Sequence, residues 1–167
     1  MTISFGTLES EFGTLTLALS ERGLVRLALP SEPGSHVVEG LERRYGSDLH
    51  EGGAELDAAR RTVEAYLAGR DQSLDIPVDW RIARGFTLSS LQRLAEVPYG
   101  TTVSYRELAA RAGNERAPRA AGAACATNPV AIVVPCHRVL RSDGGLGGFG
   151  GGLEMKEALL RLEGVRL

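Results

Sequence analysis

Cys136 and His137 are adjacent in the run Ile132-Val133-Val134-Pro135-Cys136-His137-Arg138-Val139, and a thiol beside an imidazole is the pairing in this chain best suited to covalent chemistry. Only the thiolate is a strong nucleophile, and imidazole is one of the few side chains that takes a proton near neutral pH. The β-branched residues Ile132 to Val134 suit a buried strand, which should stop at Pro135 because proline donates no ladder hydrogen bond. Neighbours on an extended strand point to opposite faces, so the two groups cooperate only if the chain turns at Pro135. These few residues leave a second reading open, in which Cys136 is a small buried hydrophobe. The surrounding elements have to decide.

Upstream, Phe86 to Val97 has helical spacing through Leu88, Leu91, Leu94 and Ala95, and Pro98-Tyr99-Gly100 ends it as a turn. Ser104-Tyr105-Arg106-Glu107 fits a capping box, so a helix starts there and runs to Gly113-Asn114. A second helix begins near Ala117-Pro118 and continues through Ala120, Ala121, Ala123 and Ala124, which gives the outline of a helix-turn-helix. That second helix is nearly all alanine and glycine, with Arg119 its one long side chain near the start. Small residues allow close approach to a neighbouring helix or to a nucleic-acid groove, and a helix without long polar side chains reads little base sequence. Asn128-Pro129 closes it, and Val130 to Val134 is the expected strand into the cysteine. Beyond lie a glycine-rich loop, Gly144 to Gly152, and a closing helix, Leu153 to Leu162. The loop lacks the lysine and spacing of a P-loop; it suits either close backbone approach to a flat ligand or a mobile surface.

The first 80 residues offer no catalytic constellation. Leu15, Leu17 and Leu19 alternate, Leu24 to Leu29 follows the turn Glu21-Arg22-Gly23, and two or three antiparallel strands are expected. Helices are expected near Val37 to Tyr45 and Glu55 to Leu67, and a last short strand through Leu74, Ile76 and Val78. The expected division is an N-terminal domain over 1–80, a linker over 81–85 and a second domain over 86–167.

Composition narrows the class. The hydrophobic content of 43% supports one substantial core or two small ones, and no apolar run approaches the roughly 20 residues that span a bilayer. With no signal-like N-terminus, a cytoplasmic location and no membrane partner are expected. Two cysteines and three histidines make neither a disulfide framework nor a metal cluster, so no metal and no cofactor are expected. Residues 1–83 carry 8 basic and 14 acidic side chains and residues 84–167 carry 11 and 7, so a polyanion would be drawn to the second half.

These pieces together resemble the O6-alkylguanine-DNA alkyltransferases, also called methylated-DNA-protein-cysteine methyltransferases. Pro135-Cys136-His137-Arg138-Val139 carries the likeness, supported by Val97-Pro98-Tyr99-Gly100, Val103-Ser104-Tyr105, Arg119-Ala120-Ala121-Gly122, Asn128-Pro129, the Gly147 to Gly152 loop and Lys156 through Glu163. The resemblance implies an α/β protein: a small N-terminal α/β domain of RNase H-like outline, then a mostly helical winged helix-turn-helix domain that carries the cysteine. It implies Cys136 as alkyl acceptor, His137 as the base that takes its proton through a water, Glu163 as the carboxylate that orients His137, Asn128 as the residue that bonds the turn, and Tyr105 as proton donor to guanine N3. Substrate contacts would come from the main chain at Cys136 and Val139 and from Gly147, Phe149 and Gly150. DNA contacts would come from Arg119, Ser104, Ala120, Ala121, Gly122 and Arg138, with Arg119 filling the gap left by a flipped nucleotide.

The implied activity is direct, single-turnover transfer of the alkyl group of O6-alkylguanine, with O4-alkylthymine open, from double-stranded DNA to Cys136. The protein is expected to be a monomer in solution, with cooperative assembly on DNA open. A free thiol is about 3% thiolate at pH 7, so full deprotonation gains only about 2 kcal/mol and proton donation to the leaving guanine is also needed. Thr87 and Leu91 stand where the family often has glutamine and tryptophan, and Phe149 and Gly150 where some members have tyrosine and serine. Two rivals remain: a lesion-binding module of the alkyltransferase-like kind, which would lack the cysteine, and a cysteine hydrolase. A cysteine phosphatase would need arginine where Ser142 stands.

Overall fold

Strand β2, Gly13–Ser20, is buried along Leu15, Thr16, Leu17, Ala18, Leu19 and Ser20, on both faces of the sheet rather than on alternate positions. Its central place explains this. In the computed structural model, which describes residues 1–167, β2 lies between β1, Ile3–Ser10, and β3, Gly23–Ala28, both antiparallel to it. A fourth strand, β4 over Leu49–Glu51, runs parallel to β1 and completes the order β3-β2-β1-β4. Helices α1, Gly34–Tyr45, and α2, Ala54–Leu67, flank β4 in sequence and supply Val37, Leu41, Leu56, Val63 and Tyr66 to the core. At Gly6 a Cβ would lie 2.8 Å from Leu56 Cδ2, so the absent side chain lets α2 lie close on the sheet.

The expected strand through Leu74, Ile76 and Val78 does not form; only Val78 bridges, in parallel, to Leu24. Pro77 cannot donate to a ladder, Leu74 takes a left-handed φ of 46°, and Ile76 N–H closes a tight turn onto Leu74 O at 2.8 Å. Leu74 and Ile76 reach the core without a strand, and Val78 is half-buried. β4 is short and polar, and no periodicity announces it.

Contacts divide the chain into two compact units, Met1–Asp79 and Trp80–Leu167. In the second, α3, Gly85–Leu94, packs on α4, Tyr105–Arg111, and on α5, Pro118–Ala126. The capping box at the start of α4 is complete: Glu107 N–H donates to Ser104 Oγ at 3.0 Å and Ser104 N–H to Glu107 Oε1 at 3.4 Å. A parallel two-stranded ladder joins β5, Val103–Ser104, to β6, Val139–Leu140, and so sets the start of α4 beside the segment that leaves the cysteine. Helix α6, Leu153–Leu162, packs on the 3-10 turn Cys136–Arg138.

The strand expected over Val130 to Val134 is instead a turn. Val134 N–H donates back to Val130 O at 3.0 Å, and Ile132 takes a left-handed φ of 71°. Asn128 is the cause: its Oδ1 accepts from Val130 N–H at 3.1 Å and its Nδ2 donates to Val134 O at 2.8 Å. Backbone groups that would have joined a ladder are satisfied locally. Val130, Ile132 and Val134 are fully buried, so the β-branched run reflects burial. No helix is long and apolar enough to cross a membrane.

Candidate active site

The chain leaves the Asn128 turn through Pro135 and enters a 3-10 turn at Cys136, so Cys136 and His137 are not on opposite faces of a strand. Both are buried. His137 Nε2 lies 2.8 Å from Glu163 Oε2 at the C-terminal end of α6. The same carboxylate accepts from Arg138 Nε at 2.8 Å, from Arg138 Nη2 at 2.9 Å and from the Gly100 amide at 3.2 Å. Each Glu163 oxygen therefore receives two donors. An ionised carboxylate only accepts, so His137 carries hydrogen on Nε2, and in the neutral ring Nδ1 holds the basic lone pair.

Burial pushes the Cys136 thiol up, against a hydrogen bond from Asn128 and the charge of Lys156. Burial pulls His137 down, against the bond to Glu163, while Arg138 and Lys156 add to the lowering. Both effects favour a neutral thiol beside a neutral imidazole. Tyr105, the first residue of α4, is pushed up chiefly by burial, while the Gly148 amide that bonds its oxygen works the other way. With that amide as donor, the phenol keeps its own proton to give. Cys125 on α5 is pushed up to about 12, by burial first and then by Cys136.

The glycine-rich loop is pinned. Lys156, fully buried, donates from Nζ to Val139 O at 2.7 Å, to Gly148 O at 3.2 Å and to Leu146 O. A Cβ on Gly147, whose φ is 70°, would lie 2.9 Å from Tyr105 Oη, so this glycine is what lets the loop close on the phenol. Phe149 meets His137 edge-on with ring centroids 6.5 Å apart, and Gly150 is exposed in the loop. The Val139 carbonyl keeps one lone pair beyond the Lys156 bond.

Two expected DNA contacts do not fit. Arg138 is 6% exposed, with its guanidinium bonded to Glu163 and, through Nη1, to Val97 O at 2.7 Å. Ala121 is fully buried, because positions 121 and 124 form the inner face of α5. Arg119 and Ala120 are exposed and Gly122 is partly so, while Ser104 is engaged as the helix cap. Lys156 has no expected role from its type, yet its sequence position is informative. It lies beside Met155 on the stripe that continues through Leu159, Leu160 and Glu163, a lysine on the buried face of a helix.

A ribonuclease-like α/β unit followed by a helix-turn-helix unit with a buried thiol, imidazole and carboxylate defines a class of DNA-alkylation repair folds. The family described as 6-O-methylguanine DNA methyltransferase matches in both parts, its ribonuclease-like domain over residues 3–80 and its DNA binding domain over residues 85–165. The chain belongs to that family. A methylated-DNA--protein-cysteine methyltransferase of Methanosarcina barkeri is 38% identical over 160 residues, spanning 95% of this chain and 96% of that protein. The inducible enzyme of that name from Bacillus subtilis is 38% identical over 148 residues, spanning 88% and 82%. Among solved structures, Mycobacterium tuberculosis OGT in complex with DNA superposes with a TM-score of 0.78 at 36% identity, covering 96% of this chain and 92% of that one. The O6-methylguanine methyltransferase of the same organism gives 0.79 at 34%, covering 97% and 93%.

Proposed function

We propose that this protein repairs DNA by moving the alkyl group of O6-alkylguanine onto Cys136, once per molecule. The observation that carries the reading is one cluster, in the helix-turn-helix unit, of a buried thiol, a buried neutral imidazole tied to a carboxylate, and a half-buried phenol with a proton to give.

His137 Nδ1 takes the Cys136 proton through a water, the sulfur attacks the alkyl carbon in line, and the carbon–O6 bond breaks. Tyr105 gives its proton to guanine N3 so that guanine leaves neutral, and the proton taken by His137 restores the phenol. A thioether is a poor leaving group, so no step regenerates the thiol. Main-chain groups at Cys136, Val139, Gly147, Phe149 and Gly150 bound the guanine. A base inside a duplex is out of reach, so the nucleotide is extruded and Arg119, exposed on the first turn of α5, fills its place. Ala120 and Gly122, small and accessible, let α5 approach the minor groove.

Incubation with a duplex containing O6-methylguanine should add about 14 Da to the peptide containing Cys136, by the replacement of hydrogen by methyl, and leave guanine in the DNA. Binding with unchanged protein mass would instead identify a lesion-recognition module. Continued turnover with unchanged mass would identify a hydrolase.

A further inference from the structure

Glu163 accepts from His137 and, through both oxygens, from Arg138. All three side chains are buried, Glu163 and His137 completely so and Arg138 to within 7%. A carboxylate alone against an imidazole in a buried site would favour the imidazolium. Here the carboxylate charge is shared. The guanidinium bonds it side-on, lies over the Tyr99 ring at 5.8 Å from the centroid and is fixed from its far end by Val97 O at 2.7 Å. Tyr99 is itself held by its hydroxyl donating to Leu162 O at 3.2 Å. Nothing in this arrangement presents Arg138 to a ligand.

We propose that Arg138 is a positioning residue that neutralises Glu163, so that Glu163 fixes the ring of His137 without charging it and the resting site holds a thiol beside a neutral base. The consequence rests on the alkyl-transfer reading above: the proton leaves Cys136 only along the reaction path, not in advance. Burial is the largest influence on His137 and favours the neutral ring, and the groups that face it adjust that balance. Glu163, from the end of α6, favours the imidazolium; Arg138, from the same 3-10 turn, and Lys156, from α6, oppose it. The Phe149 ring on the loop side is uncharged, and Cys136 is neutral at rest.

The chain has three histidines, so His137 can be followed by NMR of its ring nitrogens beside His36 and His50. In the parent protein the His137 ring should stay neutral well below about pH 6.5, where an ordinary histidine is half charged. Arg138→Gln should raise its midpoint by at least about one pH unit, a tenfold change in the charged fraction. Arg138→Lys keeps a positive charge and is the variant to read if the glutamine form does not fold. It loses the second bond, the one to the oxygen His137 shares, and should move the midpoint in the same direction by less. The acid limb of transfer from free O6-benzylguanine should follow each shift. Midpoints equal to the parent's in the folded variants would overturn the proposal, and Arg138 would then serve structure alone. The titration needs no substrate, so it remains legible even if alkyl transfer itself is not observed.

Discussion

The two units of this protein bury different things. Met1–Asp79 has an almost wholly apolar interior in which the buried acid, Asp79, accepts from Ser20 Oγ at 2.5 Å. Trp80–Leu167 buries His137, Arg138, Lys156 and Glu163 around one thiol. Apolar area stabilises a fold in proportion to its extent, whereas a buried ion pair returns little beyond its own desolvation cost. The first unit reads as a body built for stability and the second as one that accepts that cost to set protonation states.

The sharpest break in that contrast is at the thiols. Cys136→Ser should abolish the alkyl adduct, while Cys125→Ser should leave it on the Cys136 peptide at near the parental rate; an adduct on Cys125 in either variant would show that proximity, not the imidazole beside Cys136, selects the acceptor. Next come the two buried acids. Glu163→Gln leaves Arg138 without its counter-charge and should cost about 3–5 kcal/mol in chemical denaturation as well as transfer. Asp79→Asn should cost about 1–3 kcal/mol and leave transfer in the folded fraction intact. Equal costs would remove the distinction between the units. Leu56→Ala, in the packed interior of the first unit, should cost about 2–5 kcal/mol by opening a cavity, with the transfer rate of folded molecules unchanged. The last effect is a pH window. Cys125 has a folded value raised from 9.0 to about 12, so its contribution is complete below pH 9 and is lost as pH rises toward 12. Denaturation midpoints of Cys125→Ala should fall less steeply than the parent's between pH 9 and the alkaline limit of the fold.

Sequence made some of this legible and hid the rest for identifiable reasons. Helices α2 and α6 and the cap of α4 follow from spacing and from Ser104 and Glu107, because their determinants are local. Val130 to Val134 reads as a strand because β-branched residues mark burial as readily as they mark a ladder. Only the reach of Asn128 across six residues reveals the turn. Arg138 shows the limit on the site side. An arginine beside a thiol–imidazole pair in a DNA-binding unit suggests a surface contact, and its burial depends on Val97, Tyr99 and Glu163, all distant in sequence. Grouping Cys136, His137 and Glu163 as a candidate site needed a resemblance as well, since adjacency alone leaves Cys136 an ordinary buried thiol.

The burial of Cys136 carries a consequence for how long the protein lasts. A molecule that reacts once is worth having only if its sulfur is still reduced when damage arrives. Peroxide attacks the thiolate, and the first product, a sulfenic acid, can progress to forms that no thiol restores. A sulfur held 7% exposed and protonated is slow to enter that ladder. The same burial that holds the thiol protonated thus also preserves the sulfur through its waiting time.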